Sequence, residues 1–139
     1  MGKRPGPVEI IWRTGEVEFA FLVQQWGFDG PEHAEDGIAY HHPDMHIELA
    51  IWAWKNEAGL TTGIRRRNRA TGAMEEAGLE CLYLAAGLGP AQDVPENVGG
   101  GRSIAKRVAQ QARAVQRLLP LLNRPGGEEL MSRCRPGPH

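Results

Sequence analysis

The chain has 139 residues, of which 41% are hydrophobic and 24% are charged, so it is long enough to bury one core and too short for two ordinary domains. Its 16 basic and 17 acidic side chains give a formal net charge of -1, which excludes the global basic signature of a protein that coats nucleic acid or a membrane surface. Its 18 glycines and 10 prolines predict long irregular connections.

The cysteine pattern and the lengths of the apolar runs indicate the cellular compartment of the protein. Cys81 and Cys134 have neither a CxxC spacing nor the density of a secreted disulfide scaffold, and Cys81 lies in an apolar stretch that predicts a core position. The apolar run at residues 10–12 ends at Arg13, too early for a signal peptide, and no run approaches the roughly 18 residues of a membrane span. We therefore predict a cytoplasmic protein with reduced cysteines and no membrane partner.

The first predicted element is a helix at residues 16–26. Its apolar side chains recur at the i, i+3, i+4 and i+7 positions of one face: Phe19, Leu22, Val23 and Trp26. Thr14 is the predicted N-cap, and Gly27 is placed to end the helix.

A change of period from helical spacing to alternation then predicts strands at residues 38–42 and 45–52, after a polar loop at 29–37. Pro43-Asp44 lies at the centre of the turn between them. Keeping the apolar residues on one face predicts these cross-strand pairs: His41 with His46, Tyr40 with Ile47, and Ile38 with Leu49.

A second turn at residues 56–59 returns the chain through a third strand, Leu60 to Ile64. The register predicted for this hairpin has the following neighbours: Trp54 with Gly59, Leu49 with Ile64, and Glu48 with Arg65. The three strands form an antiparallel meander with one buried side.

The second half of the chain predicts two helices. The first covers about residues 74–86, a glycine-rich loop covers 87–101, and the second helix runs from an N-cap at Ser103 to 122, with Pro120 bending or shortening its last turn. The predicted fold is α+β: an N-terminal helix, a three-stranded antiparallel meander, and C-terminal helices packed on one sheet face. Residues 8–123 form the single domain, and 1–7 and 124–139 are expected to be flexible tails.

The sequence FAFLVQQWGF at residues 19–28, followed by Ile38-Ala39-Tyr40 and the strand at 45–52, resembles a pattern of small uncharacterised bacterial proteins. Those proteins look like a helix reading F-x-F-L-(x)3-aromatic-G-F, a strand opening near a tyrosine, a meander and a leucine-rich terminal helix. The resemblance covers residues 17–122 loosely. It implies an immunity-type or other interaction protein and brings no catalytic residues with it.

One candidate binding site lies on the predicted sheet face opposite the core. Trp52, Trp54 and Thr61 share that face, and two tryptophans on an exposed sheet need a cover. Three covers are possible: the N-terminal segment at residues 8–12, another helix of the chain, or a partner, which can be a second copy. Aromatic side chains are enriched at interaction hot spots, which favours the interface interpretation if the segment does not reach them.

A second candidate is a metal site made by His41, His46 and Glu48. Cross-strand neighbours have Cβ atoms about 5 Å apart, close enough for two imidazoles to share zinc or another transition metal. The simpler interpretation is a histidine-rich turn with solvated rings, because the spacing matches no strong metal-binding motif.

A third candidate is an anion site made by Arg65, Arg66, Arg67 and Arg69, which follow the third strand and could grip phosphate. The balanced net charge and the absence of a nucleic-acid-binding motif favour a solvated face, so nucleic acid is a disfavoured partner. The segment 99–103 lacks a phosphate-binding frame, and neither Ser103 nor Cys81 has the setting of a nucleophile.

These patterns together predict a small non-enzymatic protein that binds another protein or itself, without a cofactor. A metal-binding protein or metal-dependent enzyme is the alternative, and an anion or nucleic-acid binder is the third. The identity of the partner and the oligomeric state do not follow from the sequence.

Overall fold

The computed structural model describes residues 6–54, 57–98 and 101–135, and it leaves the side chains at 54, 101 and 102 undescribed. The elements, in chain order, are α1 (Pro7–Glu18), α2 (Ala20–Gln24), β1 (Asp29–Ala34), β2 (Gly37–His42), β3 (Met45–Trp54), β4 (Glu57–Arg67), β5 (Met74–Gly78), α3 (Leu79–Ala85), a single 3-10 turn (Ala91–Asp93), α4 (Gly101–Leu122) and α5 (Gly127–Arg133).

The strands form one antiparallel sheet in the order β1-β2-β3-β4-β5, a meander of five strands rather than the predicted three. The predicted register of the β2–β3 hairpin is confirmed in all three of its pairs: His41 with His46, Tyr40 with Ile47, and Ile38 with Leu49. Alternation of apolar residues specified this register because a slip by one residue would expose the whole apolar set.

The predicted register of the β3–β4 hairpin is wrong by two residues. Trp54 pairs with Glu57, and Glu48 lies opposite Gly63 rather than Arg65. The strands continue pairing up to the turn, which leaves fewer backbone groups without a partner than the wider turn that we predicted. A shift of two preserves the faces, so the same side chains still point toward the core. Asn56, part of the predicted turn, lies outside the described residues.

Two strands occupy segments that the sequence did not predict as strands. Residues 29–37 were expected to be a loop, but β1 pairs with β2 and forms one edge of the sheet. Most of its residues are exposed, so its sequence has no alternation to recognise, and Pro31 is compatible with an edge position. At the other edge, the start of the predicted helix at 74–86 is β5, and α3 begins only after Gly78.

The N-terminal helix begins earlier than predicted. Pro7 is the first residue of α1 and Gly6 is its N-cap, so Thr14 lies inside the helix rather than at its start. The chain breaks helical geometry at Phe19 and resumes it in α2. Gly27 has the expected left-handed backbone, with φ of 73°, after α2 ends. Of the predicted flexible segment 1–7, residues 1–5 lie outside the description.

The long helix α4 carries the predicted apolar stripe, and all of its members are buried: Ile104, Val108, Ala112, Val115, Leu118, Leu119 and Leu122. It begins at Gly101, two residues before the predicted N-cap at Ser103, and it continues through Pro120 to Leu122. Gly99 and Gly100, which precede it, lie outside the described residues.

The helices pack on one face of the sheet, which makes the fold α+β with two layers. From β2, the Tyr40 hydroxyl donates to the Gly15 carbonyl of α1 at 3.3 Å, and Ile38 packs so closely that Gly15 has no room for a Cβ. From β4, the Thr62 hydroxyl donates to Gln111 of α4 at 2.7 Å. The core therefore lies between this face of the sheet and the helix layer.

Of the predicted flexible tail 124–139, residues 136–139 lie outside the description, and three contacts hold the helix α5 and its C-cap in place. Cys81 and Cys134 form a disulfide between α3 and the end of α5, so the prediction of reduced cysteines is wrong, and Cys81 is exposed rather than buried in the core. Glu128 of α5 pairs with Arg66 at 3.1 Å, and Met131 is buried. Each contact joins positions far apart in sequence, which is why local pattern did not reveal it. In the described part of the chain, no helix is long and apolar enough to cross a membrane.

Candidate functional site

The face of the sheet away from the helix layer, here called the open face, is built from alternate residues of all five strands. Its described side chains include acidic, basic, small and aromatic members: Glu32, Ala39, His41, His46, Glu48, Ala50, Trp52, Thr61, Arg65 and Glu76. The identified hydrogen bonds between helices and sheet involve core-face side chains or the sheet margin. In the described part of the chain, the identified helix–sheet hydrogen bonds thus leave the side chains of the open face uncovered.

Trp52 is a large apolar side chain of this face, and 40% of its surface is exposed. Its indole N–H donates to the Thr61 hydroxyl at 3.0 Å, so the predicted partners Trp52 and Thr61 are in contact. The ring lies directly against the backbone of Gly59, the residue opposite it, because glycine has no Cβ to displace the ring. The side chain of Trp54, the third predicted member, lies outside the description.

The N-terminal segment does not cover the Trp52 ring. Ile11 is buried in the core between sheet and helices. Trp12 stacks on His33 with ring centroids 4.7 Å apart, and its indole N–H donates to the Gly37 carbonyl at 2.9 Å. The segment is thus engaged on the helix side and at the sheet margin, which leaves Trp52 partly exposed.

His41 and His46 meet across the β2–β3 hairpin, with ring centroids 5.0 Å apart in an edge-on arrangement. One of the two rings already has a partner on β1, because His41 Nε2 forms a hydrogen bond with a carboxylate oxygen of Glu32 at 2.7 Å. Glu48 follows two residues after His46 on the same face. Among the described residues, no group of three or more His, Cys, Asp or Glu side chains is placed to hold a metal ion. The geometry therefore does not favour the metal alternative.

The pKa of His46 is lowered from its ordinary value of 6.5, first by desolvation and then by the positive charges of His41, Arg65 and Arg67, against an opposing contribution from Glu48. Burial and like charge both disfavour the protonated ring. His46 is consequently neutral on the folded open face near neutral pH.

Acidification is expected to destabilise the fold through His46. In the unfolded chain the ring takes up its proton near the ordinary pKa, whereas in the folded chain it stays neutral to lower pH. The stability it contributes is present above about pH 6.5 and is lost as the pH falls through the lower folded pKa. Urea unfolding between pH 7.5 and 5 should show this loss, and His46→Asn should reduce it. An unchanged pH dependence in the variant would contradict the assignment.

The four arginines of the third candidate do not form one surface. Arg65 lies on the open face, 4.0 Å from Glu76, whereas Arg66 points to the core side and is only 4% exposed. Arg67 pairs with Asp44 at 3.5 Å, and Arg69 follows the end of β4. Alternation along a strand separates Arg65 from Arg66, since successive side chains point to opposite faces, whereas Arg66, Arg67 and Arg69 line one cleft. A continuous phosphate-binding stripe is therefore not formed.

Sequence analysis missed a polar cluster at the side of α4. The Tyr83 hydroxyl donates to Asp93 at 2.7 Å and accepts a bond from Arg117 at 2.5 Å. Burial raises the pKa of Tyr83, and the hydrogen bond to Asp93 raises it further. The phenol therefore keeps its proton and donates it in the hydrogen bond to Asp93. These three residues come from a helix, a loop and another helix, so no local spacing signals them.

Comparison with known proteins gives no relative from which a function could be transferred. The chain matches no family model, no curated protein and no solved structure.

Proposed function

We propose that this protein is a non-enzymatic binding protein that associates with a second copy of itself through the open face. The exposed indole of Trp52, on a sheet face that the helix layer leaves uncovered, is the observation that carries the proposal. Tryptophan is enriched among the residues that contribute most to the binding energy of protein interfaces.

The charge pattern of the open face supports a second copy as the partner. The acidic side chains Glu48 and Glu76 share this face with the basic side chain of Arg65. A two-fold symmetric interface places the same surface on both sides, so a face of mixed charge avoids the repulsion that a face of one sign would suffer. A heterologous protein, including the toxin that the sequence resemblance would imply, is the competing partner.

Trp52→Ala is expected to weaken self-association by more than about 1 kcal/mol, which is roughly a fivefold rise in Kd, because it removes an aromatic anchor. The folded monomer should keep most of its stability, since the ring is already partly exposed. Sedimentation velocity over a range of concentrations measures the first effect, and thermal unfolding measures the second.

Leu84→Ala is the matched control, because Leu84 is 45% exposed on α3, away from the open face. It should leave association unchanged. A wild-type chain that remains monomeric at millimolar concentration would overturn the self-association. A Trp52→Ala variant with wild-type mass and a loss of several kcal/mol in stability would instead identify the ring as part of the fold.

The compartment remains a prediction. Disulfides persist in oxidising compartments and are rare in the reducing cytosol, so the Cys81–Cys134 bond weighs against the cytoplasmic location predicted from the sequence. Alkylation of free thiols in intact cells, followed by mass spectrometry of both cysteines, distinguishes the two locations.

A further inference from the structure

A cleft at one end of the sheet, here called the arginine cleft, is distinct from the open face. It has a volume of about 180 Å³ and lies between the β2–β3 turn, the end of β4, the segment after α2 and the end of α4. Its lining combines cations with apolar rings, and the side chains that matter most are Trp26, Phe28, His42, Arg66, Arg67 and Arg69.

Internal contacts hold two of its three arginines in place. Arg66 donates through Nε to the Leu122 carbonyl at 2.9 Å and pairs with Glu128 at 3.1 Å. Arg67 pairs with Asp44 at 3.5 Å and donates to the Gly72 carbonyl at 2.9 Å. These contacts fix both guanidinium groups at the wall of the cleft while using much of their hydrogen-bonding capacity.

Arg69 has the most capacity left for a ligand. Its side chain is exposed, and within the described residues no carboxylate lies close enough to form an ion pair with it. The lining residues include three arginines and one acidic side chain, Asp44, so positive charges outnumber negative charges among them.

The opposite side of the cleft supplies planar contacts and one more donor. Trp26 is half-buried and Phe28 is buried, and the Phe28 and His42 rings lie 5.3 Å apart. The Nδ1 atom of His42 accepts the Asp44 backbone N–H at 3.2 Å. Because Nδ1 is the acceptor of this bond, Nε2 is the ring nitrogen that can donate to a ligand.

We propose that the arginine cleft binds a small organic anion in which a phosphate or carboxylate is joined to a single aromatic ring. Arg69 is the main contact of the anionic group, and Trp26 and Phe28 contact the ring. The volume is below the range of about 300–1,000 Å³ that is usual for drug-sized ligands, which restricts the ligand to one ring.

Calorimetric titration with phenyl phosphate tests the proposal. Inorganic phosphate tests the anion contact alone, and phenol tests the ring contact alone. Saturable binding is expected at millimolar or lower concentration, and each half alone should bind at least about tenfold more weakly because it loses one set of contacts. Arg69→Gln should weaken phenyl phosphate binding about tenfold, the usual magnitude for one charge-assisted hydrogen bond.

Arg113→Gln is the matched control, because it removes the same charge from an exposed position on α4 outside the cleft. It should leave binding unchanged. An equal loss in both variants would mean that net charge alone attracts the anion and would overturn the site. Absence of saturable phenyl phosphate binding would also overturn the proposed site. If inorganic phosphate bound as tightly as phenyl phosphate, the proposed contact between the cleft and the aromatic ring of the ligand would be wrong. Trp26→Ala, which should weaken phenyl phosphate but leave phosphate unchanged, checks the ring contact directly.

Discussion

Gln111→Leu is expected to lower the free energy of unfolding by about 2–4 kcal/mol, because it leaves buried polar groups without partners. Gln111 is fully buried in α4, accepts a hydrogen bond from the Thr62 hydroxyl at 2.7 Å, and donates to the carbonyls of Leu60 at 2.7 Å and Pro95 at 3.1 Å. Leucine has a similar size and retains most of the packing. The loss therefore reports the polar contacts that join α4 to β4 and to the loop before α4.

Gln116→Leu is the control, since Gln116 is exposed on the same helix. Surface changes of this kind usually alter stability by less than about 0.5 kcal/mol. Urea unfolding of the two variants and the wild type gives the comparison. Equal stability of Gln111→Leu and Gln116→Leu would mean that the buried amide contributes no net stabilisation.

Loss of the disulfide is expected to cost about 4 kcal/mol, the chain-entropy estimate for a loop of this length. The bond joins Cys81 and Cys134, which are 53 residues apart in sequence. Native contacts of α5, including buried Met131 and the Glu128 pair with Arg66, would remain possible without the bond, but the unfolded chain would gain conformational freedom.

The double variant Cys81→Ser with Cys134→Ser measures this cost by thermal unfolding. Wild-type protein in reducing buffer should unfold at nearly the same temperature as the variant, and the variant itself should not respond to reductant. A variant as stable as the oxidised wild type would contradict the expected contribution of the cross-link.

The sequence predicted those parts of the fold in which apolar periodicity is strong. The β2–β3 register and the buried stripe of α4 both follow from patterns that place many apolar residues on one face. The edge strands β1 and β5 escaped prediction because exposed edges require backbone pairing but no apolar alternation. The β3–β4 register was missed because a shift of two residues leaves the apolar pattern unchanged.

The candidate sites were predictable only where their members are neighbours across a hairpin. The contact of His41 with His46 followed from the register, and Trp52 and Thr61 were correctly placed on the same face. The arginine cleft depends instead on the meeting of a turn, a strand end and two helix ends, which are distant in sequence. The two cysteines of the disulfide are likewise distant in sequence and meet only because α5 packs on α3.

The position of α4 in the chain has a consequence for synthesis on the ribosome. The sheet is complete at residue 78, whereas the helix α4, which packs on the core face of β4, ends at residue 122. At roughly 5–20 residues per second, the growing chain spends several seconds with the core face of β4, which includes Leu60 and Ile64, lacking that cover. A nascent chain halted in this interval presents an apolar sheet to chaperones and to its neighbours, so native folding is completed only after translation has passed α4.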